Sequence, residues 1–313
     1  TGKLYNTIMY HVKPDGRIDM EEVWKLAKEH KPKLIWMGAT AYMYKYEYDK
    51  FAEVADSIGA YLVADIAHIA GLILSGVHTN PVKHAHIVTT TTHKTLRGPR
   101  GGMIMVTDKG LQKDPDLGKK IDSAIFPGLQ GGPHDHQTAA IATALKEAGT
   151  PRFRKYAIQI VSNAKTLADE LKKAGISLIG KGTENHLLLL NLVPTLGAGG
   201  GLFLQDALGA VRITANKNTI PLEPMSPYYP SGVRMGTPAL TSRGMKNREM
   251  KKIAQWIVGV IEEIKKYKMP FDKEERKLVI GKFRKEISVN RNLKLIAKEV
   301  TALCKKFPIK KVY

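Results

Sequence analysis

The sequence predicts an α/β protein with a mostly parallel sheet, helices on both faces of that sheet, and a smaller C-terminal α/β domain. Two observations lead to this fold class. Short apolar segments rich in β-branched residues alternate with helix-length segments through the first half of the chain, which is typical of βαβ units. The length of 313 residues favours two domains, at roughly 150 residues per domain. We place them at residues 1–149 and 150–313.

The first domain is predicted to contain four strands, at residues 32–38, 60–67, 87–92 and 101–106. A helix is predicted over residues 47–58, with an apolar face and with Gly59 directly after its last turn, where glycine is common. The Gly- and Pro-rich segment FPGLQGGPHDH then leads into two helices, which are predicted over residues 136–148 and 151–174.

The second domain is predicted to mix strands and helices. The predicted strands are residues 176–179, 186–192 and 232–235. The predicted helices are residues 202–208, 246–266 and 293–306. The NKN segment at residues 216–218 is interpreted as a loop.

The composition is that of a globular chain with a strong positive charge. Hydrophobic residues make up 43% and charged residues 25% of the sequence, which excludes a disordered polar chain and a collagen-like repeat. Lys and Arg number 49 against 29 Asp and Glu, giving a formal net charge of +20. The lysines follow predicted helices without interleaved aromatic residues, so we interpret them as a solvated surface and expect no nucleic-acid partner.

Cysteine content and hydropathy predict a cytoplasmic protein. The single cysteine, Cys304, cannot form an internal disulfide, which favours a reducing compartment. The longest mostly apolar stretch, residues 61–77, contains Asp65 and His68 and is shorter than the ~20 residues that cross a bilayer. The N-terminus has no hydrophobic signal-peptide region, and no membrane association is expected.

The stretch most informative about function is VTTTTHKTLRGPRGG at residues 88–102. Lys94 follows a β-branched strand and enters a Gly- and Pro-rich turn, where we expect it to be rigid and partly desolvated. Such an environment lowers the pKa of an amine and makes it a nucleophile toward a carbonyl. Asp65 ends a neighbouring predicted strand, so both side chains are expected over the same sheet edge.

Taken singly, these residues have simpler interpretations. Lys94 alone would be a surface lysine, and Asp65 alone a helix N-cap. The pair, together with four consecutive threonines, favours a site for pyridoxal 5′-phosphate (PLP). This cofactor is the common aldehyde partner of such a lysine, and an acidic residue usually pairs with its pyridinium nitrogen.

Several segments closely resemble serine hydroxymethyltransferases, a family of fold-type I PLP enzymes. The matching segments are KLYN (3–6), DIAH (65–68), VTTTTHKTLRGPRGG (88–102), FPGLQGGP (126–133), NHLLLLNL (185–192), ITANKNTIP (213–221) and SGVRMGTPA (231–239). The resemblance implies an aspartate aminotransferase-like large domain and a homodimer. It also implies the interconversion of serine and glycine, with transfer of the hydroxymethyl carbon to a reduced pterin (tetrahydrofolate or tetrahydromethanopterin).

The resemblance assigns catalytic roles around the cofactor. Lys94 would bind PLP covalently, and Asp65 would pair with the pyridinium nitrogen. His68 would support the O3′ side of the ring, and Thr91 would lie near the lysine.

Further residues are expected near the cofactor, again by resemblance. His93 would contact the PLP phosphate. Thr40 occupies a position where the family often has a serine near the cofactor. The backbone of Gly131 and Gly132 would reach a phosphate across the dimer interface, since backbone amides can cradle an anion.

Substrate roles are implied for the C-terminal half. Arg234 would bind the substrate carboxylate, which suits the two-pronged guanidinium group. Arg243 is nearby in sequence and is expected to support it. Asn216 and Asn218 lie where the family contacts its reduced pterin.

A metal site at residues 134–136, HDH, is a further possibility. Imidazole and carboxylate groups are metal ligands, but the spacing is poor for one site, and no Cys or distant His cluster joins them. No metal is therefore expected.

Two other functions stay open at this point. A pterin-independent aldolase acting on β-hydroxy amino acids would use the same lysine, aspartate and arginine. An inactive fragment acting as a basic binding protein would bind nucleic acid with a steep salt dependence and hold no cofactor.

The resemblance begins at the KLYN motif, whereas the family has a large segment before it. That segment carries the acid–base glutamate, a phosphate loop, tyrosines near the substrate and a histidine that stacks on PLP. We expect the sequence to be part of a longer enzyme, because it starts without a Met and within a motif. If the chain were complete, we would expect it to bind PLP weakly and turn over poorly.

Overall fold

The computed structural model describes residues 2–309, which form two compact units. Unit 1 comprises residues 2–13, 18–40 and 45–158, and unit 2 comprises residues 14–17, 41–44 and 159–309. The last change of unit falls inside a continuous helix that begins at Pro151. The domain boundary between residues 149 and 150 stays a prediction.

Unit 1 contains a four-stranded sheet and several helices. Its strands are β1 (Leu34–Met37), β2 (Tyr61–Asp65), β3 (Ile87–Thr91) and β4 (Gly102–Val106). Its helices are α1 (Met20–His30), α2 (Tyr48–Ser57), α3 (Ala70–Leu74), α4 (Asp108–Lys113), α5 (Leu117–Ile125), α6 (Asp135–Ala148) and the first two turns of α7 (Pro151–Lys173). The four predicted strands and the helices predicted at α2, α6 and α7 are confirmed.

The sheet has the strand order β1-β2-β3-β4 and is mostly parallel, as predicted. β2 is parallel to both of its neighbours, and Asp65 at its end lies in register with Thr89 of β3. β4 is the exception, because it runs antiparallel to β3. The connection between these two strands holds no helix, and a parallel pair needs a longer crossover.

The two faces of the sheet differ in burial. On β1, Ile35 and Met37 are buried, whereas Leu34 and Trp36 on the opposite face are 43% and 51% exposed. The same alternation appears on β3, as the period of two in a strand requires. The helix α2 packs against β2 with fully buried side chains such as Phe51.

Unit 2 is built around a smaller, three-stranded antiparallel sheet. Its strands are β5 (Leu187–Asn191), β6 (Asn216–Asn218) and β7 (Gly232–Gly236), in the order β5-β7-β6. Its helices are the rest of α7, then α8 (Val193–Leu196), α9 (Gly200–Ala210), α10 (Pro238–Ser242), α11 (Asn247–Ile264), α12 (Lys273–Val289) and α13 (Arg291–Lys306). A hydrophobic core joins β5 and β7 to α7, α9, α11, α12 and α13.

The helices of unit 2 bury one side and expose the other. In α11, Ile253 and Ile257 are buried, while Lys251 and Glu262 are exposed, which is the pattern of an amphipathic helix. Within residues 2–309, the structure contains no helix with the length and apolar character needed to cross a membrane.

Three predictions in the second half were wrong or missed. The segment 176–179 makes only one isolated bridge, between Leu178 and Leu190, because Gly175 and Gly180 turn the chain at positive φ on either side of it. The NKN segment is not a loop but the edge strand β6. The helix α12 was missed, since its charged sequence buries only Phe283 and Ile287 fully.

Candidate active site

The segment between β3 and β4 folds into a closed turn that carries Lys94. The Thr92 N–H donates to the Gly101 carbonyl at 3.0 Å, which closes the base of the turn. Inside it, the Arg97 N–H donates to the Lys94 carbonyl at 3.0 Å, and the Gly98 N–H donates to the Thr92 carbonyl at 2.8 Å. The backbone on both sides of Lys94 is therefore fixed by hydrogen bonds.

The Lys94 amine lies at the carboxyl end of β3. Its Nζ donates to the Thr91 hydroxyl at 2.9 Å, and that hydroxyl donates to the Ala67 carbonyl at 3.3 Å. Ala67 follows the end of β2 by two residues. The threonine thus connects the amine to the segment after the neighbouring strand, and the side chain of Lys94 is half-buried.

Asp65 ends β2 beside this lysine-bearing edge. Its Oδ1 accepts a hydrogen bond from the Ala67 N–H at 2.9 Å. Gly38, which follows β1, has φ +151°, and a Cβ built on it would lie 2.7 Å from both the Cβ and the carbonyl oxygen of Asp65. Only glycine at position 38 leaves room for Asp65, because any side chain at position 38 would collide with Asp65.

A buried tyrosine in the first turn of α2 accompanies Asp65. The Tyr48 side chain is 3% exposed, and its hydroxyl has no hydrogen-bond partner among the described residues. Burial is the main cause that raises the pKa of Tyr48, and the negative charge of Asp65 adds to it. The phenol is therefore neutral at physiological pH. Tyr48 was missed in the sequence, where only its place at the start of a helix is visible.

The turn that carries Lys94 is joined to α3 through Thr95. The Thr95 hydroxyl donates to the His68 carbonyl at 3.0 Å and accepts from the Gly71 N–H at 3.1 Å. A Cβ at Gly71 would lie 2.4 Å from the Thr95 carbonyl oxygen. The start of α3, together with His68 just before it, thus lies directly against the turn that contains Lys94.

His93 precedes the lysine and carries a buried ring nitrogen. Its Nδ1 has no hydrogen-bond partner within residues 2–309. Burial, followed by the positive charges of Arg100 and Lys94, lowers the pKa of His93 below its ordinary value. The imidazole is therefore neutral at pH 7, and it can offer an N–H to a ligand.

The first-unit residues fit an aldehyde ligand that carries a basic ring nitrogen. Lys94 supplies the amine. Asp65, at the end of the adjacent strand, supplies an acceptor for the ring nitrogen. Two buried polar atoms near them, Thr89 Oγ1 and His93 Nδ1, lack partners among the described residues. Unsatisfied buried polar groups are costly and uncommon in folded proteins.

Three other predicted cofactor residues lie on the surface of unit 1. Thr40 is exposed, two residues beyond Gly38. Gly131 and Gly132 lie in the exposed segment before α6, and a Cβ built on either glycine would meet no atom within 4 Å. The two glycine positions have room for a ligand or for another chain.

In unit 2, the sheet brings Arg234 and Asn216 together. Arg234 on β7 is in register with Asn216 of β6 and with Leu189 of β5. Cross-strand partners project on the same face, so the guanidinium and the amide are neighbours. Burial lowers the pKa of Arg234 from its ordinary value. Asn218 lies opposite Gly232, and its Nδ2 donates to the Thr219 carbonyl at 2.7 Å.

The role predicted for Arg243 needs correction. Its Nε donates to the Phe307 carbonyl at 2.6 Å, and its NH2 group donates to the Cys304 carbonyl at 2.8 Å. Its NH1 group lies 3.5 Å from Cys304 Sγ. Arg243 therefore caps the C-terminal end of α13, where cations bind exposed carbonyls, and we do not include it in the proposed substrate site.

The HDH segment does not assemble a metal centre in the structure. His134 precedes α6 and His136 lies in its first turn, with ring centroids 5.7 Å apart. Both side chains are exposed. Across residues 2–309 there is no group of three or more His, Cys, Asp or Glu side chains placed to hold a metal ion.

A lysine and an aspartate lie at the carboxyl ends of adjacent parallel strands, the edge at which α/β sheets bind ligands, and this is the arrangement that the resemblance to fold-type I PLP-dependent enzymes implies. The family model described as serine hydroxymethyltransferase matches residues 1–257. A serine hydroxymethyltransferase of Paracoccus denitrificans (strain Pd 1222) is 49% identical over 263 residues, which cover 84% of this chain and 60% of that protein. The chain therefore belongs to the serine hydroxymethyltransferase family, and it spans about three fifths of the length of this curated relative.

Proposed function

We propose that the protein acts as a PLP-dependent serine hydroxymethyltransferase. It would interconvert serine and glycine and pass the hydroxymethyl carbon to a reduced pterin, either tetrahydrofolate or tetrahydromethanopterin. One observation carries the proposal: the Lys94 amine, held by Thr91, lies at the end of the strand next to Asp65. Membership of the family supports it.

PLP would be held by residues of unit 1. Lys94 would take the aldehyde, Asp65 the ring nitrogen and His68 the O3′ side of the ring. The groups proposed for the phosphate and its surroundings are His93, Thr40, Gly131 and Gly132. When bound, PLP supplies a protonated ring that accepts electrons from a breaking bond at the amino-acid Cα.

The surroundings of Asp65 suit a carboxylate that accepts a ring N–H. The Ala67 N–H occupies Oδ1, which leaves Oδ2 for the ligand. The neutral phenol of Tyr48 adds no competing charge. Gly38 leaves the carboxylate in place, because any larger residue at that position would displace it.

Thr91 orients the lysine amine by accepting a hydrogen bond from it. Its hydroxyl accepts from Lys94 Nζ and donates to the Ala67 carbonyl, so the direction of both hydrogen bonds is fixed. The amine is therefore aimed from β3 toward the end of β2, where the aldehyde is expected.

Arg234 would bind the substrate carboxylate. A guanidinium group forms two parallel hydrogen bonds with a carboxylate, whereas a lysine offers a single point charge. Fixing the carboxylate would set the Cα–Cβ bond of serine perpendicular to the cofactor ring, so that this bond breaks. The neighbouring Asn216, together with Asn218, would contact the pterin.

The test is serine cleavage with and without each reduced pterin. Formation of glycine that depends on tetrahydrofolate or tetrahydromethanopterin supports the proposal and identifies the carrier. Cleavage of β-hydroxy amino acids at full rate without a pterin would instead indicate an aldolase. A protein that holds no cofactor and binds nucleic acid with a steep salt dependence would be a basic binding protein.

A matched pair of arginine variants tests the carboxylate site. Arg234→Lys keeps the charge but removes the fork, so we expect serine and glycine affinity to fall roughly 10- to 100-fold, the range for a lost charge-assisted hydrogen bond. Arg248→Lys, at an exposed position on α11, is the control and should leave affinity unchanged. Equal affinity in both variants would remove Arg234 from the site.

We also propose a cytoplasmic homodimer. Phe126 and Leu129 are 60% and 88% exposed in the segment that leads to Gly131, and exposed apolar side chains of this kind support an interface between subunits. The single cysteine, Cys304, supports a reducing compartment. Sedimentation or light scattering of the purified protein measures the oligomeric state.

A further inference from the structure

Arg97, three residues after Lys94, has a backbone conformation that arginine rarely adopts. Its φ is +60°, in the left-handed region, which is strained for a residue other than glycine. In this conformation its N–H reaches the Lys94 carbonyl at 3.0 Å. The strained residue is thus the one that closes the turn around the lysine.

The Arg97 side chain lies against two aromatic rings at the start of α7. Its guanidinium carbon is 4.3 Å from the ring centroid of Tyr156 and 5.4 Å from that of Phe153. The two rings meet edge to face with their centroids 5.4 Å apart, and Phe153 is 3% exposed. A cation over such rings is attracted to their faces, and the buried Phe153 makes the platform rigid.

The same turn also contacts α6. The Gln137 Nε2 donates to the Arg100 carbonyl at 2.7 Å, and a Cβ at Gly98 would lie 3.0 Å from the Cβ of Ala144. These contacts hold the second half of the turn. In the first half, from Lys94 to Arg97, Thr95 is hydrogen-bonded to His68 and to α3, and the Arg97 side chain is the link to α7.

We propose that Arg97 is a positioning residue for Lys94. Its guanidinium, anchored on Tyr156 and Phe153, stabilises the left-handed backbone that closes the turn, and the closed turn keeps the amine within reach of Thr91. The inference rests on the proposed function, because it gives Arg97 its effect through the presentation of Lys94 to the aldehyde of PLP. Loss of the anchor lets φ relax, opens the Arg97–Lys94 hydrogen bond and spreads the directions that the amine samples.

Arg97→Gly and Tyr156→Leu distinguish the effect of the cation–π contact of Arg97, called the anchor here, from the effect of its strained backbone. Arg97→Gly removes the guanidinium while permitting positive φ at no cost, so a purely local strain predicts a neutral or stabilised protein. Tyr156→Leu removes the ring face and leaves the arginine unchanged. Arg212→Gly is the matched control, because Arg212 is an exposed arginine of unit 2 with φ +68°.

Two measurements are made on each variant after thermal unfolding has shown that it is folded. The first is amide exchange, by mass spectrometry, of the peptide that covers residues 92–101. The second is the PLP concentration that half-saturates the borohydride-trapped label on Lys94. We expect faster exchange and a roughly three- to tenfold higher PLP concentration in Arg97→Gly and in Tyr156→Leu, in line with one cation–π contact. The double variant should be no worse than Arg97→Gly alone, and Arg212→Gly should match the wild type.

Each other outcome overturns the inference. Unchanged exchange in Arg97→Gly means that the anchor does not hold the turn. Faster exchange with an unchanged PLP concentration means that the anchor does not position Lys94. A wild-type protein that shows no label on Lys94 overturns the proposed function itself, and this inference with it.

Discussion

Replacing Gly71 with alanine tests whether the close contact between α3 and the turn after Lys94 is needed for stability and for PLP binding at Lys94. A Cβ at position 71 would lie 2.4 Å from the carbonyl oxygen of Thr95, 2.7 Å from its carbonyl carbon and 3.2 Å from the Leu96 nitrogen. All three are backbone atoms, so no side chain can rotate away. Because Cβ contacts shorter than 3.0 Å essentially do not occur, α3 and the turn must separate by at least about 0.6 Å, the difference between 3.0 and 2.4 Å.

Two effects of Gly71→Ala oppose each other. Alanine favours the helix over glycine by about 0.5–1 kcal/mol, whereas overpacking a close contact costs about 1–3 kcal/mol. We therefore expect a net loss of roughly 1–2 kcal/mol in the free energy of unfolding, since the clash outweighs the gain in helix propensity. The displaced peptide adjoins Lys94, so the lysine site should weaken as well.

The assay combines denaturant unfolding with a PLP titration of the Lys94 label. Gly118→Ala is the matched control, because Gly118 lies in α5 with no atom within 4 Å of an added Cβ. That variant should be as stable as the wild type or up to about 1 kcal/mol more stable. If Gly71→Ala matches Gly118→Ala in both stability and PLP binding, the proposed role of this contact is refuted.

Two further predictions concern Gly38, which lies against Asp65, and His86, which precedes β3. Gly38→Ala should displace Asp65, since the added Cβ would lie 2.7 Å from it at φ +151°; we expect PLP affinity to fall at least tenfold by titration, and unchanged affinity would contradict the placement of Asp65 against Gly38. Burial, and then the charges of Lys109 and Lys113, lower the pKa of His86 to about 4 from 6.5, while its Nδ1 accepts from the Leu62 N–H at 3.0 Å. As the pH falls, His86 is therefore protonated in the unfolded state before it is protonated in the folded state. The free energy of unfolding should fall by up to about 3 kcal/mol as the pH drops from 6.5 toward 4. In His86→Asn this pH dependence should shrink. If the free energy of unfolding, measured with denaturant, changes with pH as steeply in the variant as in the wild type, the prediction is contradicted.

The strands and the central pair of the site were predictable from local sequence. Apolar segments bounded by turn residues identified β1, β2 and β3, because β-branched and large apolar side chains suit a pleated, partly buried strand. Lys94 and Asp65 follow such strands, and the order of parallel strands places their ends at one edge. The strands and the Lys94–Asp65 pair could be predicted because they depend on residues that are close together in the sequence.

Other features depend on contacts that the sequence does not display. The direction of β4 follows from a connection without a helix, and β6 is a strand only because β7 pairs with the polar NKN segment. Arg243 looked like a partner of Arg234 by sequence distance, but the end of α13 takes its donors. The need for glycine at position 38 appears only when Asp65 of the next strand is placed against it.

The arrangement around Arg97 shows the same limit. Its position in an LRGPRGG segment predicts a turn, yet neither its positive φ nor its aromatic platform is visible in the sequence. The platform comes from α7, which lies more than fifty residues further along the chain. A sequence signal for it would be an arginine next to glycine in the turn and paired aromatic residues three apart on a later helix.

The most direct test of the lysine site is to locate the PLP adduct. The purified protein is mixed with PLP, its visible spectrum is recorded before and after borohydride, and the labelled peptide is mapped by mass spectrometry. We expect an absorption band that borohydride bleaches, with the label on Lys94, and no label in Lys94→Ala. A label that remains at full yield in Lys94→Ala, or a wild-type protein without any label on Lys94, would contradict the assignment of Lys94 as the residue that binds PLP.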